Sequence, residues 1–234
     1  MSTYDFSLSA SKLSLFKECR RCFWDYCINK IPQPKGKFPS LPNGLDRVVK
    51  VYADQFRGSL PPVLQGTIEG VLWGGIEEIK KKRTWQSNTK PCIQTPGGVV
   101  SLINAFDDLV LTPRGTFAIC DWKSKGDAPK SGYAEQYYQV QSDTYHVHIQ
   151  ASGMQPDGRT HFVFWYPQAV LDPQDIHFGV DVQTIESSYE RGYELICQAV
   201  ECLRGGQPDY TETCELCHFA QQRVEAVLAC VNPN

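Results

Sequence analysis

Apolar residues along this chain recur first at helical spacing, then at alternating spacing, then at helical spacing again. From Ser9 to Ile28, Leu13, Phe16, Phe23, Trp24 and Cys27 follow the 3.6-residue period behind serines suited to capping, which predicts one helix or two short ones. The stretch IPQPKGKFPSLPNG then brings four prolines and two glycines, which stop a helix and predict a surface loop. A helix from Leu45 to about Arg57 follows, with Val48, Val49, Tyr52 and Phe56 on its apolar face. Residues 63–82 fit either a strand and helix or a loop. From Gly98 the period drops to two, and VVSLINAFDDLVL, the turn TPRG and TFAICDWKS read as parts of an antiparallel meander. A long helix over about 133–152, strands at 161–166 and near 175–182, and a helix over about 184–203 complete the order. The sum is an α/β fold in which helices flank a mixed central β-sheet.

The strand pair carries the chemistry. In TFAICDWKS, Phe117, Ile119, Asp121 and Lys123 point to one face, and Ala118, Cys120 and Trp122 to the other. The preceding turn has Pro113 at its first corner and Gly115 where a left-handed residue is needed, which pairs Thr112 with Thr116. That register sets Asp107 opposite Asp121 and Asp108 opposite Cys120; a bulge at Gly115 would exchange the two upstream acids. Two carboxylates this close repel unless a cation lies between them, and an oxygen-seeking Mg²⁺ or Mn²⁺ is the natural occupant. The backbone carbonyl of Trp122 lies at the same rim as a further ligand, and Lys123 is placed to orient a water or offset charge on a phosphoryl group. An Asp-x-Lys triplet alone arises by chance about once in a chain this long. Its strand, its apolar neighbours and the acid delivered by the turn are what give it weight.

Composition narrows the picture. With 41% hydrophobic and 21% charged residues the 234-residue chain is expected to fold as one domain, 1–234, in which 98–183 hold the catalytic sheet and the next helix. No stretch approaches the roughly 18 apolar residues of a membrane span, and the start lacks an export signal, which predicts a cytoplasmic protein with no membrane partner. A net charge of −3 excludes a general polyanion binder. Basic contacts must be local, at Lys17, Arg20 and Arg21, at the run Lys80–Arg83, or at Lys123, Lys125 and Lys130.

Over most of its length the chain resembles the PD-(D/E)XK nucleases, in particular the RecB-like branch that includes the CRISPR spacer-acquisition exonucleases. The likeness rests on SLSASKLSLFKECRRCFW as an opening helix, NAFDD as the first acidic motif, ICDWKS as the Asp-x-Lys motif and QSDTY as a Gln-x-x-x-Tyr motif. It implies a restriction-endonuclease-like core and a metal-dependent deoxyribonuclease of the exonuclease kind, active in processes such as DNA repair. It further implies Asp107, Asp121 and Lys123 as catalytic residues and Gln141 and Tyr145 as contacts to DNA, either single strands or duplex ends, to which the basic Lys125 beside the site is added as a further contact. A helicase or CRISPR-type protein partner fits the same branch. The branch places a metal-binding His on its first core helix; LPNGLDRVVKVYADQF has none, and Asp46 or Glu69 are the substitutes at hand. A member of the fold that binds nucleic acid without cutting it is the alternative this raises.

Ten cysteines in a chain without an export signal point to metal or free thiols rather than disulfides. Cys19-x-x-Cys22 and Cys214-x-x-Cys217 supply the four thiolates of a closed tetrahedral site tying residues 1–30 to 205–234. Structural zinc and a four-iron cluster both use such ligands, and the resembled branch often holds the cluster with one N-terminal and three C-terminal cysteines. The two-plus-two split suits zinc better, with Cys230 as another ligand to consider. A cysteine-clamped protein-interaction module, with the acids as ordinary surface charges, is the reading from outside the nucleases. His146, His148, His161, His177 and His218 form no metal motif.

Overall fold

The computed structural model describes residues 4–34, 36 and 40–231. Part of the proline-rich crossing, residues 35 and 37–39, therefore lies outside the described residues. The opening segment is a strand, β1 (Phe6–Leu8), followed by short helices α1 (Ala10–Glu18) and α2 (Arg20–Trp24) and one π turn (Asp25–Asn29). Ser9 caps α1 by accepting from Lys12 N, and extended backbone at Cys19 ends it. The Cys19 side chain then caps α2 by accepting from Cys22 N. Helix α3 (Ser40–Asp54) starts five residues before the predicted Leu45, because Pro42 falls in the first turn, where its missing N–H breaks no helical bond. Its buried residues are Val49 and Ala53, while Val48, predicted to be apolar-facing, is 60% exposed.

The chain continues through β2 (Val71–Leu72), α4 (Ile76–Lys82), β3 (Cys92–Thr95), β4 (Gly98–Leu102), β5 (Asp108–Leu111) and β6 (Phe117–Ser124). Helix α5 (Tyr133–Ala151), the long strands β7 (Pro156–Asp172) and β8 (Asp175–Glu186), and helices α6 (Tyr189–Arg204) and α7 (Glu215–Val231) complete it. The segment 99–111, expected to contribute to a single antiparallel meander, is divided between two sheets. β4 joins a three-stranded sheet in the order β1-β4-β3, whereas β5 belongs to a five-stranded mixed sheet, β2-β5-β6-β7-β8. The cause is local: Ile103 N donates to Leu8 O and Asn104 Oδ1 accepts from Ala10 N, which pull the chain toward β1, and Phe106 N then turns to Lys82 O. Residues 184–186, predicted as helix, extend β8; Ser188 is the cap that starts α6.

β6 runs antiparallel to β5 and, after the α5 crossover, parallel to β7. Its alternation feeds two cores. Ala118, Cys120 and Trp122 pack with Val163 against Val49 and Ala53 of α3, while Ile119 packs with Phe106, Leu109, Tyr145 and Ile149 on the α5 face. α6 covers α5, and at Gly192 an added Cβ would lie 2.6 Å from Asp143 O, so only glycine permits that approach. Among the described residues no helix is long and apolar enough to cross a membrane.

Two buried histidines make stability sensitive to acid. Burial, with the Lys82 charge adding, holds His148 at about 4; burial, with the Arg159 charge adding, holds His161 at about 4, against 6.5 for the free side chain. Above pH 6.5 neither the folded nor the unfolded chain protonates them. Below it the unfolded chain gains protons that the folded one refuses, so stability falls between pH 6.5 and 4 by up to about 3 kcal/mol for each residue. Denaturant melts across that window test this; a flat profile would contradict it.

Candidate active site

The hairpin before the site adopts the predicted register. Thr112 N donates to Thr116 O at 2.9 Å, Gly115 sits at φ +77°, and Asp108 pairs with Cys120. β5 begins at Asp108, so the last residues of β6 lack a partner on that side. Asp107 fills the gap with its side chain: Oδ2 accepts from Trp122 N at 3.1 Å. Asp107 thereby reaches the Trp122 amide, in the peptide that follows Asp121.

Asp121 is 3% exposed, and Lys123 ion-pairs with its Oδ2, an atom that has no hydrogen-bond donor of good geometry. Its Oδ1 accepts from Gln141 Nε2 at 2.7 Å. The same amide nitrogen donates to Tyr145 Oη at 3.1 Å, while Lys123 Nζ lies 3.5 Å from Gln141 Oε1. Spacing of four residues on α5 sets Gln141 above Tyr145. Tyr145 is buried against the Phe106 ring at 4.9 Å, so it anchors Gln141 from within the core. Burial pushes the Asp121 carboxyl up to about 6; Lys123 opposes the rise and the Asp107 charge adds to it. Lys123 stays protonated, since the Asp121 and Asp107 charges outweigh its burial and raise it.

One further residue reaches this site that the sequence pattern did not single out. Lys50 of α3 lies 2.7 Å from Asp107 Oδ1 and also pairs with Asp46. Of the two proposed substitutes for a missing His, Asp46 is thus tied to the site through Lys50, whereas Glu69 is exposed and acts on Arg159. Lys125, proposed to touch DNA, pairs with Asp127 and stands 5.1 Å over the Tyr133 ring.

Behind the site Asp108 is fully buried, as the register requires. It accepts from Arg57, from Arg83 Nη2 at 3.0 Å and from Trp122 Nε1 at 3.1 Å. Arg57 and Arg83 also bind Asp54, and Arg83 Nε donates to Asp107 O at 2.8 Å. Arg83 therefore belongs to the interior, not to a basic surface run, and this network fixes the backbone that carries Asp107. Asp108→Ala would leave two buried guanidinium groups short of a partner and is expected to destabilise the fold by about 3–5 kcal/mol, read from urea midpoints. A loss below about 1 kcal/mol would mean the network is solvated.

The carboxylates of Asp107 and Asp121 are hard oxygen donors of the kind Mg²⁺ or Mn²⁺ prefers, and each is paired with an ammonium, Lys50 on Asp107 and Lys123 on Asp121 Oδ2. A separate cluster lies at the far end of α1. Cys19, Cys22, Cys214 and Cys217 have sulfurs within 4.8 Å of one another, with Cys19–Cys217 at 3.5 Å and Cys22 at 3.7 Å from both Cys214 and Cys217. Against the effect of burial, hydrogen bonding with the Thr211 hydroxyl and the Cys22 amide brings Cys19 down to about 7. Four thiols this close can bind a structural metal. Cys230 is exposed and outside the group.

Fold and sites together define a mixed α/β protein whose two ends meet at a four-cysteine centre, with an Asp-x-Lys sequence near the end of the central strand β6. No family model matches the sequence, and no curated protein matches it significantly. A solved structure described as "Crystal structure of SSO0001" aligns over 94% of this chain and 87% of its own, at 13% identity and a TM-score of 0.41. That likeness is too weak to carry an argument about fold family or activity.

Proposed function

We propose that the chain is a divalent-metal-dependent deoxyribonuclease with a restriction-endonuclease-like core, of the RecB-like PD-(D/E)XK kind. The observation that carries this reading is the convergence of Asp121, Lys123, Gln141 and Asp107 on the end of β6. Asp107 and Asp121 would hold Mg²⁺ or Mn²⁺, which when bound polarises a phosphoryl oxygen and lowers the pKa of a water so that it attacks. Lys123, held in place by Asp121 and Gln141, offsets charge on the phosphoryl group. Gln141 keeps Asp121 aimed, and Tyr145 keeps Gln141 from rotating. An open cavity of about 480 Å³, lined by Lys12, Tyr26, Trp85 and Tyr145 among others, offers aromatic and basic groups to a strand approaching from the α1 side.

Incubating the protein with linear single- and double-stranded DNA in Mg²⁺ or Mn²⁺ tests the proposal. Shortened products that vanish with chelator support it, and intact DNA throughout sinks it. One observation favours a second reading, a member that binds DNA without cutting: Lys50 already occupies Asp107. DNA retained in a mobility shift but left intact would select it.

The cysteine centre is read as structural zinc. A tetrahedral zinc with bonds of about 2.3 Å spaces its sulfurs by about 3.8 Å, close to the 3.5 and 3.7 Å found here. A four-iron cluster sets a separate iron behind each thiolate and needs a wider sulfur set.

A further inference from the structure

Asp46 and Lys50 share one face of α3, spaced i,i+4, and Lys50 Nζ lies 2.8 Å from Asp46 Oδ1 and 2.7 Å from Asp107 Oδ1. The other oxygen of Asp107 is held by the Trp122 amide at 3.1 Å. On β6, Lys123 pairs with Asp121. Each acid of the candidate site therefore has an ammonium of its own. The Lys50 and Asp107 side chains are each only 21% exposed, a setting in which a carboxylate without a counter-charge is costly.

We propose that Lys50 is the resident counter-cation of the site: it holds Asp107 while no divalent ion is bound and must yield Oδ1 before that carboxylate can ligate one. The inference rests on the reading of Asp107 as a metal ligand. An ammonium and a dication drawn to one carboxylate repel each other at short range, so each weakens the other's hold. Lysine suits the task because its flexible stem and compact charge let it move without leaving its second partner, whereas an arginine fork would grip. Asp46 is that second partner, and it keeps the displaced ammonium beside the site.

Calorimetric titration of the full chain with Mn²⁺ tests this on the wild type, Lys50→Met, Lys50→Gln, Lys50→Arg and Asp107→Asn, with a thermal melt of each to select folded samples. Lys50→Gln keeps a hydrogen-bond donor for Asp107 and serves if Lys50→Met does not fold. The neutral variants are expected to bind Mn²⁺ at least about tenfold more tightly than the wild type. Lys50→Arg should bind no more tightly than the wild type, and Asp107→Asn should lose binding. If Asp107→Asn loses binding but the neutral variants match the wild type or bind more weakly, the role of Lys50 is overturned and the metal site stands. If no variant takes up Mn²⁺, or Asp107→Asn binds as the wild type does, the metal reading falls and the role of Lys50 falls with it.

Discussion

Changing Asp121 to Asn is expected to lower kcat/KM on linear DNA by at least about 10³-fold in Mg²⁺ or Mn²⁺ in a variant that still folds. Asn keeps the acceptor for Gln141 Nε2 and the volume of the side chain, and removes only the charge that an ion and Lys123 need. Its removal leaves the Lys123 ammonium, which the Asp121 charge does most to hold protonated, without its nearest counter-charge, so a melt of the same variant separates lost chemistry from lost fold. Activity and melting temperature measured on the same sample decide the matter. Cleavage at the wild-type rate would remove Asp121 from the chemistry.

With zinc at the four-cysteine centre as proposed, replacing Cys22 with Ser is expected to release it and lower the melting temperature by roughly 10 °C, from a loss of at least about 3 kcal/mol in a chain of this size. The reason lies in what the centre joins. Cys19 and Cys22 flank the start of α2, and Cys214 and Cys217 lie at the start of α7. α7 has little else to hold it, with Phe219, Val224, Val227, Leu228 and Val231 all more than half exposed. Limited proteolysis should then cut α7 first, whereas Cys230→Ser, at an exposed position, should behave as the wild type. Unchanged metal content and an unchanged melt in Cys22→Ser would refute the structural role.

Much of the β5–β6 hairpin was legible in the sequence. Pro113 and Gly115 can form one kind of tight turn, and a turn of known length sets every cross-strand pair after it, including Asp108 with Cys120. The pairing of Gln141 with Tyr145 follows from helical spacing in the same way. The division of 99–111 between two sheets was not legible, because the apolar pattern runs on through Ile103 while the decisive bonds go to Leu8 and Ala10, almost a hundred residues earlier. α7 also escaped, since its apolar residues are largely exposed and lack the buried stripe that marks an amphipathic helix.

Local chemistry along the chain thus determined which residues share a strand face, where the tight turn falls, and that four cysteines come in two metal-like pairs. Only the tertiary structure decided what faces Asp107 and Asp108. Lys50, Arg57 and Arg83 arrive from α3, the turn after it and the end of α4, 24 to 57 residues before the hairpin in sequence. Side-chain periodicity reports only which face of an element a residue occupies. Which charge meets another across two packed elements depends on how those elements are laid against each other, and burial of the whole core sets that.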